Sequence, residues 1–556
     1  MSQQVTIFCK NTNTYHSYPL GITVLEVYQN LKIELKYQVV AARVNYKVED
    51  LNFPIYKPKD LEFIDLSTPS GMRVYVRTLC MTMAKAISEL YPQATLCLEH
   101  PISKGYYFRI ENLNKPLNQE VIQAIKERLN LIISQGKQIV CEEMQTTEVK
   151  KLFLKNPNHN NKAALFETLN TTYCRFFRID DFIDYYNGVL LPSTDYLTIF
   201  DIVPYYDGLL LRIPNREHPV ALDDVILMPK MYDIFKEYLE WNKIMNMNNV
   251  GEFNIACRNN KSFNLIKIAE ALHEKKVASI ADMIHARPEK VKFVLVSGPS
   301  SSGKTTFSKR LSIQLMVSGL KPVVISLDNY FVDRDLTPLD EHGNFDFEDL
   351  HALDLDLFNN NLKQLLNGEE IEIPTFSFET GKRVYRGDKL QLKDDSILVL
   401  EGIHALNPQL IPDIPTNLTF KIYVSALTTI SIDNHNWIPT ADTRLLRRII
   451  RDFHFRNYSA RDTISRWQSV RRGEEKWIFP YQENADVMFN SALLFELAVL
   501  KKHAEPILAE VPKSCDEYTE AHRLIKFLNY FVAIQDREIP PTSLLREFVG
   551  GSSFKY

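Results

Sequence analysis

Apolar and polar positions divide the chain into stretches of different period. Val5-Thr6-Ile7-Phe8 and Val39-Val40-Ala41-Ala42-Arg43-Val44 read as strands, Val24–Leu31 between them as a helix, and Leu61-Glu62-Phe63-Ile64-Asp65-Leu66 as a closing strand. So many alternations in so few residues predict a small β-grasp-like module over residues 1–66. Residues 67–215 mix a helix around 81–90, a helix over 118–135 and shorter strands ending at Gly208-Leu209-Leu210-Leu211-Arg212-Ile213, an α+β pattern. In the second helix Val121, Ile122, Ile125, Leu129 and Ile132 recur at helical spacing. Residues 216–287 read as a helical connector, with Ile266, Ile268, Leu272, Val277 and Ile280 near one face, and Arg287-Pro288 marks a boundary.

Beyond residue 290 the pattern changes. Continuous apolar runs at 291–296, 322–327, 396–400 and 419–424 alternate with helical stretches. Such runs predict strands buried on both faces, hence a parallel sheet flanked by helices over residues 288–510. Residues 511–556 read as a helix over 520–534 and then a polar tail with Gly550-Gly551, expected to be poorly ordered. The fold class is α/β and multidomain; at roughly 100–200 residues per domain, 556 residues make about three or four domains.

Composition adds exclusions. Net charge is −4, so no global basic surface announces nucleic acid, although a local patch stays compatible with RNA. Seven cysteines are scattered without a CxxC pair, which suits reduced thiols. No basic segment followed by an apolar run opens the chain, and no stretch nears the ~18–20 apolar residues of a membrane span. A cytoplasmic protein with no membrane partner is expected.

The chemistry begins at residues 298–306, Gly-Pro-Ser-Ser-Ser-Gly-Lys-Thr-Thr, between an apolar run and a helix. In that context the string is a P-loop. Gly298, Ser300, Ser301, Ser302, Gly303 and Thr306 would wrap ATP phosphates, Lys304 would reach the β/γ-phosphates, and the Thr305 hydroxyl would hold Mg²⁺. The nearest string to a guanine-reading Asn-Lys-x-Asp motif is Asn242-Lys243-Ile244-Met245, which lacks the Asp and disfavours GTP. Asp328 and Glu401 end two buried runs, where parallel-sheet sites form. One carboxylate there can accept the proton of an attacking hydroxyl, the other can hold Mg²⁺. Residues 440–472 are rich in arginine, and Arg444, Arg447 and Arg451 would share one helix face.

Together these residues resemble the uridine kinase family, within the wider group that includes phosphoribulokinase. The ordered strings are the P-loop, Ser326-Leu327-Asp328-Asn329-Tyr330-Phe331, Asn344-Phe345-Asp346, Ile373-Pro374-Thr375-Phe376-Ser377-Phe378, Leu400-Glu401-Gly402-Ile403 and Asp442-Thr443-Arg444-Leu445 with Arg447-Arg448. The resemblance implies that Asp328 is the base for a nucleoside 5′-hydroxyl, and that Asp346 binds ribose with Arg444 nearby. It further implies that Phe376 and Phe378 flank the base beside Tyr330, that Glu401 serves Mg²⁺, and that Arg447, Arg456 and Arg461 contact phosphates. Where that family carries a base-reading His, this chain has Gly381, with Arg383 or Lys382 as substitutes.

Residues 1–66 resemble a TGS domain, and residues 67–215 resemble the editing domain of threonyl-tRNA synthetases, through Arg77-Thr78-Leu79-Cys80-Met81-Thr82, Gly105-Tyr106-Tyr107-Phe108 and Pro192-Ser193-Thr194. The four polar ligands of that editing site are absent: Thr78, Thr82, Tyr186 and Leu190 stand in their places. The expected function is an ATP- and Mg²⁺-dependent nucleoside kinase, uridine- or cytidine-like, expected as a homo-oligomer. Two alternatives stay open: a kinase of a sugar phosphate or other small hydroxyl substrate, and a nucleotide-switched RNA-binding protein. RNA or a metabolite stays open as a partner of the N-terminal half.

Overall fold

The computed structural model describes residues 3–155, 160–287, 291–393 and 396–556. The first module is a five-stranded sheet ordered Thr14–Pro19, Gln4–Cys9, Lys59–Asp65, Val39–Val44, Lys47–Glu49. Its first and last-formed long strands pair in parallel at the centre, so the chain closes the module on itself. The helix Val24–Leu31 lies where the apolar period puts it, started by a capping box between Thr23 and Glu26. Val24 and Val27 pack on Val5, Ile7, Leu61 and Phe63.

The second domain opens with the helix Pro69–Leu90, which begins well before residue 81. Thr68 caps it by accepting from the Gly71 amide, and Pro69 sets its first turn. This helix is buried on nearly all sides from Ser70 to Ile87, which erases the amphipathic period that would announce its start. Around it stand a four-stranded sheet ending in Thr95–Ile102, a three-stranded sheet (Val140–Gln145, Tyr173–Ile179, Phe182–Asp184) and the helix Gln119–Ser134. Helices Pro229–Ile244, Val250–Arg258 and Ser262–His285 form the connector. Pro288 lies outside the described residues.

The P-loop domain carries an all-parallel five-stranded sheet ordered Lys321–Ser326, Ser396–Glu401, Phe293–Ser297, Thr419–Ser425, Val487–Asn490. The strand feeding the P-loop is central and wholly buried. Helices Lys304–Val317, Leu355–Leu366, Thr440–Phe455 (the arginine helix), Ala460–Trp477 and Glu496–Ala509 complete the domain. Residues 540–549 depart from the expected loose tail: Leu544, Leu545 and Phe548 are fully buried in the main core. Three apolar residues within five are too short a run to carry a readable period, yet they suffice to anchor a segment.

The loop before the arginine helix reaches into the second domain. The Leu98 amide donates to the Asn434 carbonyl (2.8 Å), the Asn187 amide to Asn436 Oδ1 (2.9 Å), and Trp437 lies 4.3 Å from the Tyr106 ring. At the centre of this contact the Lys162 ammonium bridges Asp184 (2.8 Å) and Asp433 (2.9 Å), all three fully buried. Asp184 also meets His435 Nδ1 at 2.6 Å. Burial pulls the Lys162 pKa down, but Asp184 and Asp433 outweigh it and the ammonium is held above its ordinary range. His435 stacks 6.4 Å from Tyr186, one of the four positions where the synthetase resemblance puts a ligand. Thr78 and Thr82 are turned inward: Thr78 donates to Val74 and accepts the Leu191 amide, and Thr82 donates to the Thr78 carbonyl.

Removing one member of a buried ionic group costs about 3–5 kcal/mol, because the remaining charges lose their partner. Lys162→Met, which leaves two carboxylates facing each other, is expected to destabilise the chain by about that amount in urea denaturation. Unchanged unfolding would show that the two domains do not depend on this contact.

Candidate active site

The P-loop leaves its strand at Gly298 and enters the helix Lys304–Val317 through Gly303, whose φ of +85° suits glycine. A side chain there would also overlap Leu544. Lys304 Nζ donates to the Pro299 carbonyl at 3.2 Å, and Thr305 Oγ1 donates to Glu401 Oε2 at 3.4 Å. Burial lowers the Lys304 pKa against the pull of Glu401 and Asp328. Burial likewise raises Glu401 to about 7, against Lys304 and with help from Asp328. Desolvation therefore outweighs mutual attraction in this pair, and both groups lean toward their neutral forms. A bound cation and phosphate would reverse both.

Thr305 and Glu401 fit Mg²⁺, an oxygen-seeking ion that takes one or two protein oxygens and completes its shell with phosphates and water. Among the described residues no group of three or more His, Cys, Asp or Glu could hold a metal alone. The ligand's own phosphates would therefore have to contribute.

Arginines on one side of this helix reach the P-loop, and they play two roles that differ from the expectation. Arg447 is fully buried: it pairs with Glu496 (Nη2 to Oε2, 2.7 Å) and donates to the carbonyls of Ser301, Ser302 and Ser491. Arg444, also buried, pairs with Glu474 and donates to the Ser300 carbonyl at 3.1 Å. Both brace the P-loop from behind. Arg447 is thus corrected from a phosphate contact to a support, and Arg444, expected beside the ribose, is spent on Glu474 and the Ser300 carbonyl. The groups on the open side are Arg448, which donates to Ser300 Oγ at 2.9 Å, Arg451 and Arg456. These three surround Asp452 and hold its carboxylate low despite its burial. Arg456 lies 4.4 Å above the Phe378 ring; burial and Arg451 lower it to about 10, while Asp452 and Asp328 pull the other way. Arg461 pairs with Glu517 at 3.3 Å on the surface instead of turning to the P-loop, a second correction.

Asp328 sits in the 3-10 turn Leu327–Tyr330 that ends the edge strand, and its charge acts on Lys304, Glu401, Glu348 and Arg456. Asp346 is half-buried and pushed up by burial, and it accepts the Glu348 amide at 3.2 Å. Glu348 is buried and raised to about 7. Phe376, Phe378 and Phe331 form an aromatic cluster with ring separations of 5.3, 5.5 and 6.5 Å. Tyr330 does not join it: this ring is fully buried, edge-on to Phe358 at 5.0 Å, and its hydroxyl accepts from Asn361. Arg383 is also corrected, since it turns to Asp354 (2.9 Å), the N-cap of the helix Leu355–Leu366. Gly381, φ +70°, forms the hairpin turn. Arg334 lies over it: a Cβ on Gly381 would stand 2.7 Å from Arg334 Nε, and Arg334 donates to the Phe378 carbonyl at 2.6 Å. No motif points to Arg334; Asp452 and Glu348 carry the weak signal of acids set within the arginine run and beside Asp346.

Residues 293–494 match the model of the Phosphoribulokinase / Uridine kinase family. Over 195 residues the chain is 28% identical to uridine kinase of Halobacterium salinarum, covering 35% of this chain and 77% of that one. The N-terminal region is similar to threonine–tRNA ligases: 29% identity over 182 residues to that of Rubrobacter xylanophilus, covering 33% of this chain and 28% of the ligase. The chain thus spans little more than a quarter of the synthetase length. A solved structure of a possible uridine kinase from Bacillus stearothermophilus aligns with 39% of this chain and 98% of its own at 20% identity, TM-score 0.27. No described helix is long and apolar enough to cross a membrane.

A carboxyl group whose folded pKa is raised binds a proton more tightly when folded, so its contribution to stability declines as pH rises from the unfolded value toward the folded one. For Glu401 that window runs from 4.5 to about 7. Across it, Glu401→Gln is expected to gain stability relative to the parent, on the order of 1–3 kcal/mol by the top of the window. Urea midpoints measured across this range check it; parallel curves for the two proteins would rule out a strained Glu401.

Proposed function

We propose that the chain is an ATP-dependent kinase that transfers the γ-phosphate to the 5′-hydroxyl of a nucleoside, uridine- or cytidine-like. The observation that carries this reading is a P-loop whose Thr305 meets Glu401 at 3.4 Å, with Arg456 4.4 Å over the Phe378 ring of the aromatic cluster and the Asp328 charge felt by Lys304, Glu401 and Arg456. A phosphoryl donor needs cations around it, and an acceptor hydroxyl needs a base and a place to dock. In this reading Lys304 binds the β/γ-phosphates, and Thr305 and Glu401 hold Mg²⁺, which neutralises charge on the transferring group. Arg448, Arg451 and Arg456 add positive charge on the open side. Asp328 accepts the hydroxyl proton, Asp346 binds the ribose, and Phe376 and Phe378 stack on the base. The family match over residues 293–494 supports phosphoryl transfer.

One observation favours the second reading, a sugar phosphate as acceptor: Arg334 stands at Gly381, so a fixed cation replaces a base-reading imidazole. In this proposal the N-terminal half serves as the scaffold that seats the loop before the arginine helix.

A coupled ATP assay across nucleosides and sugar phosphates separates the readings. With the correct acceptor, Asp328→Asn is expected to lower kcat by ~10²–10⁴ while ATP affinity stays within about twofold. Full activity in that variant would remove Asp328 from the base role. Turnover of ribulose 5-phosphate and of no nucleoside would decide for the sugar phosphate.

A further inference from the structure

We propose that residues 544–556 form an autoinhibitory plug, in which the Glu547 carboxylate stands in for a nucleotide phosphate on the first turn of the P-loop helix. This inference rests on the reading of the P-loop as an ATP site. Glu547 Oε2 accepts both the Thr306 amide (3.2 Å) and Thr306 Oγ1 (2.6 Å). The Tyr556 hydroxyl lies 2.8 Å from the same Oγ1, and Lys309 donates to the Lys555 carbonyl with its ammonium 5.2 Å from the Tyr556 ring.

The first amides of a helix have no partner within it, and they lie at its positive end. Phosphate and carboxylate compete for such donors. The Thr306 amide serves one anion at a time, and a second anion beside Glu547 would meet repulsion in a water-poor setting. Glu547's charge is felt deeper in the site as well: it favours the charged form of Lys304 and the neutral form of Glu401. The carboxylate therefore acts as a counterion for the site in the absence of nucleotide.

The segment is built to hold this carboxylate without being rigid throughout. Leu544 packs on Gly303, and Phe548 lies 5.0 Å from the Arg447 guanidinium, so residues 544–548 are anchored from behind. Gly550 and Gly551 follow with φ of +86° and +75°, and Gly550 has open space around its Cβ position. A rotation of the Glu547 side chain together with a swing at these glycines frees Thr306 without disturbing the buried anchor. Entering nucleotide must drive that change, so part of its binding energy is spent on displacing the plug.

ATP affinity in the presence of Mg²⁺, measured by calorimetry on the full chain, on Glu547→Ala and on a chain lacking 550–556, tests the proposal. Glu547→Ala is expected to bind ATP roughly tenfold more tightly, with kcat at saturating ATP unchanged. The shortened chain should move the same way by a smaller factor. Equal or weaker affinity in Glu547→Ala overturns the plug. If that variant folds poorly, Glu547→Gln, which keeps the shape and loses the charge, must bind more tightly, and its failure to do so overturns the plug equally. Tighter ATP binding without transfer to any hydroxyl would uphold the plug and sink the kinase reading; transfer with equal affinities would do the opposite.

Discussion

Two guanidinium groups that scarcely meet solvent hold the P-loop in shape. A loop that turns its amides toward a phosphate must turn carbonyls the other way, and those carbonyls need donors. Arg444 and Arg447 supply them to Ser300, Ser301 and Ser302 from behind. Burying two positive charges is tolerable only because Glu474 and Glu496 neutralise them at hydrogen-bonding distance. Glu474 also accepts the Ser300 amide, so one carboxylate ties together the loop, the arginine helix and the helix Ala460–Trp477. The open face of the loop is usable because the carbonyls of Ser300, Ser301 and Ser302 find donors on its hidden face.

The same helix joins the two halves of the chain. Near its start, Asp442 is gripped by Arg523 (2.7 and 2.8 Å), and Glu520 links Arg523 to Arg73 on the second domain's long helix. The loop preceding it is held by Lys162. Its other end presents Arg448 and Arg451, with Arg456 just beyond. The second domain, through Arg73 and Lys162, thus contacts the helix's supports at its start and the loop before it.

Much of this was legible in the sequence, for local reasons. The P-loop, the capped helix Val24–Leu31 and the doubly buried strands are written in contiguous residues, and the family strings fixed the order of Asp328, Asp346 and Glu401. The arginines were legible only in part: a spacing of three and seven says which side chains share a face, but not which face looks at the loop. Tyr330 sits in a diagnostic string yet packs inward, because its neighbour Asp328 takes the outward position in a one-turn helix. The contact between Lys162 and Asp433 joins residues far apart in the chain, and no periodicity encodes it. The buried segment at Leu544–Phe548 was hidden by its shortness and by the glycines after it.

The loop that carries Asp433, His435 and Trp437 also bears on whether the P-loop half could stand alone. A fragment beginning at Val291 would contain the whole P-loop sheet but would leave Asp433 without Lys162, Trp437 without Tyr106, and Ser543 without its acceptor Glu270 on the connector helix. Each loss exposes a surface shaped for a neighbour. The boundary between the two halves is therefore an interior surface to which both contribute, and cutting there would open a core rather than a linker.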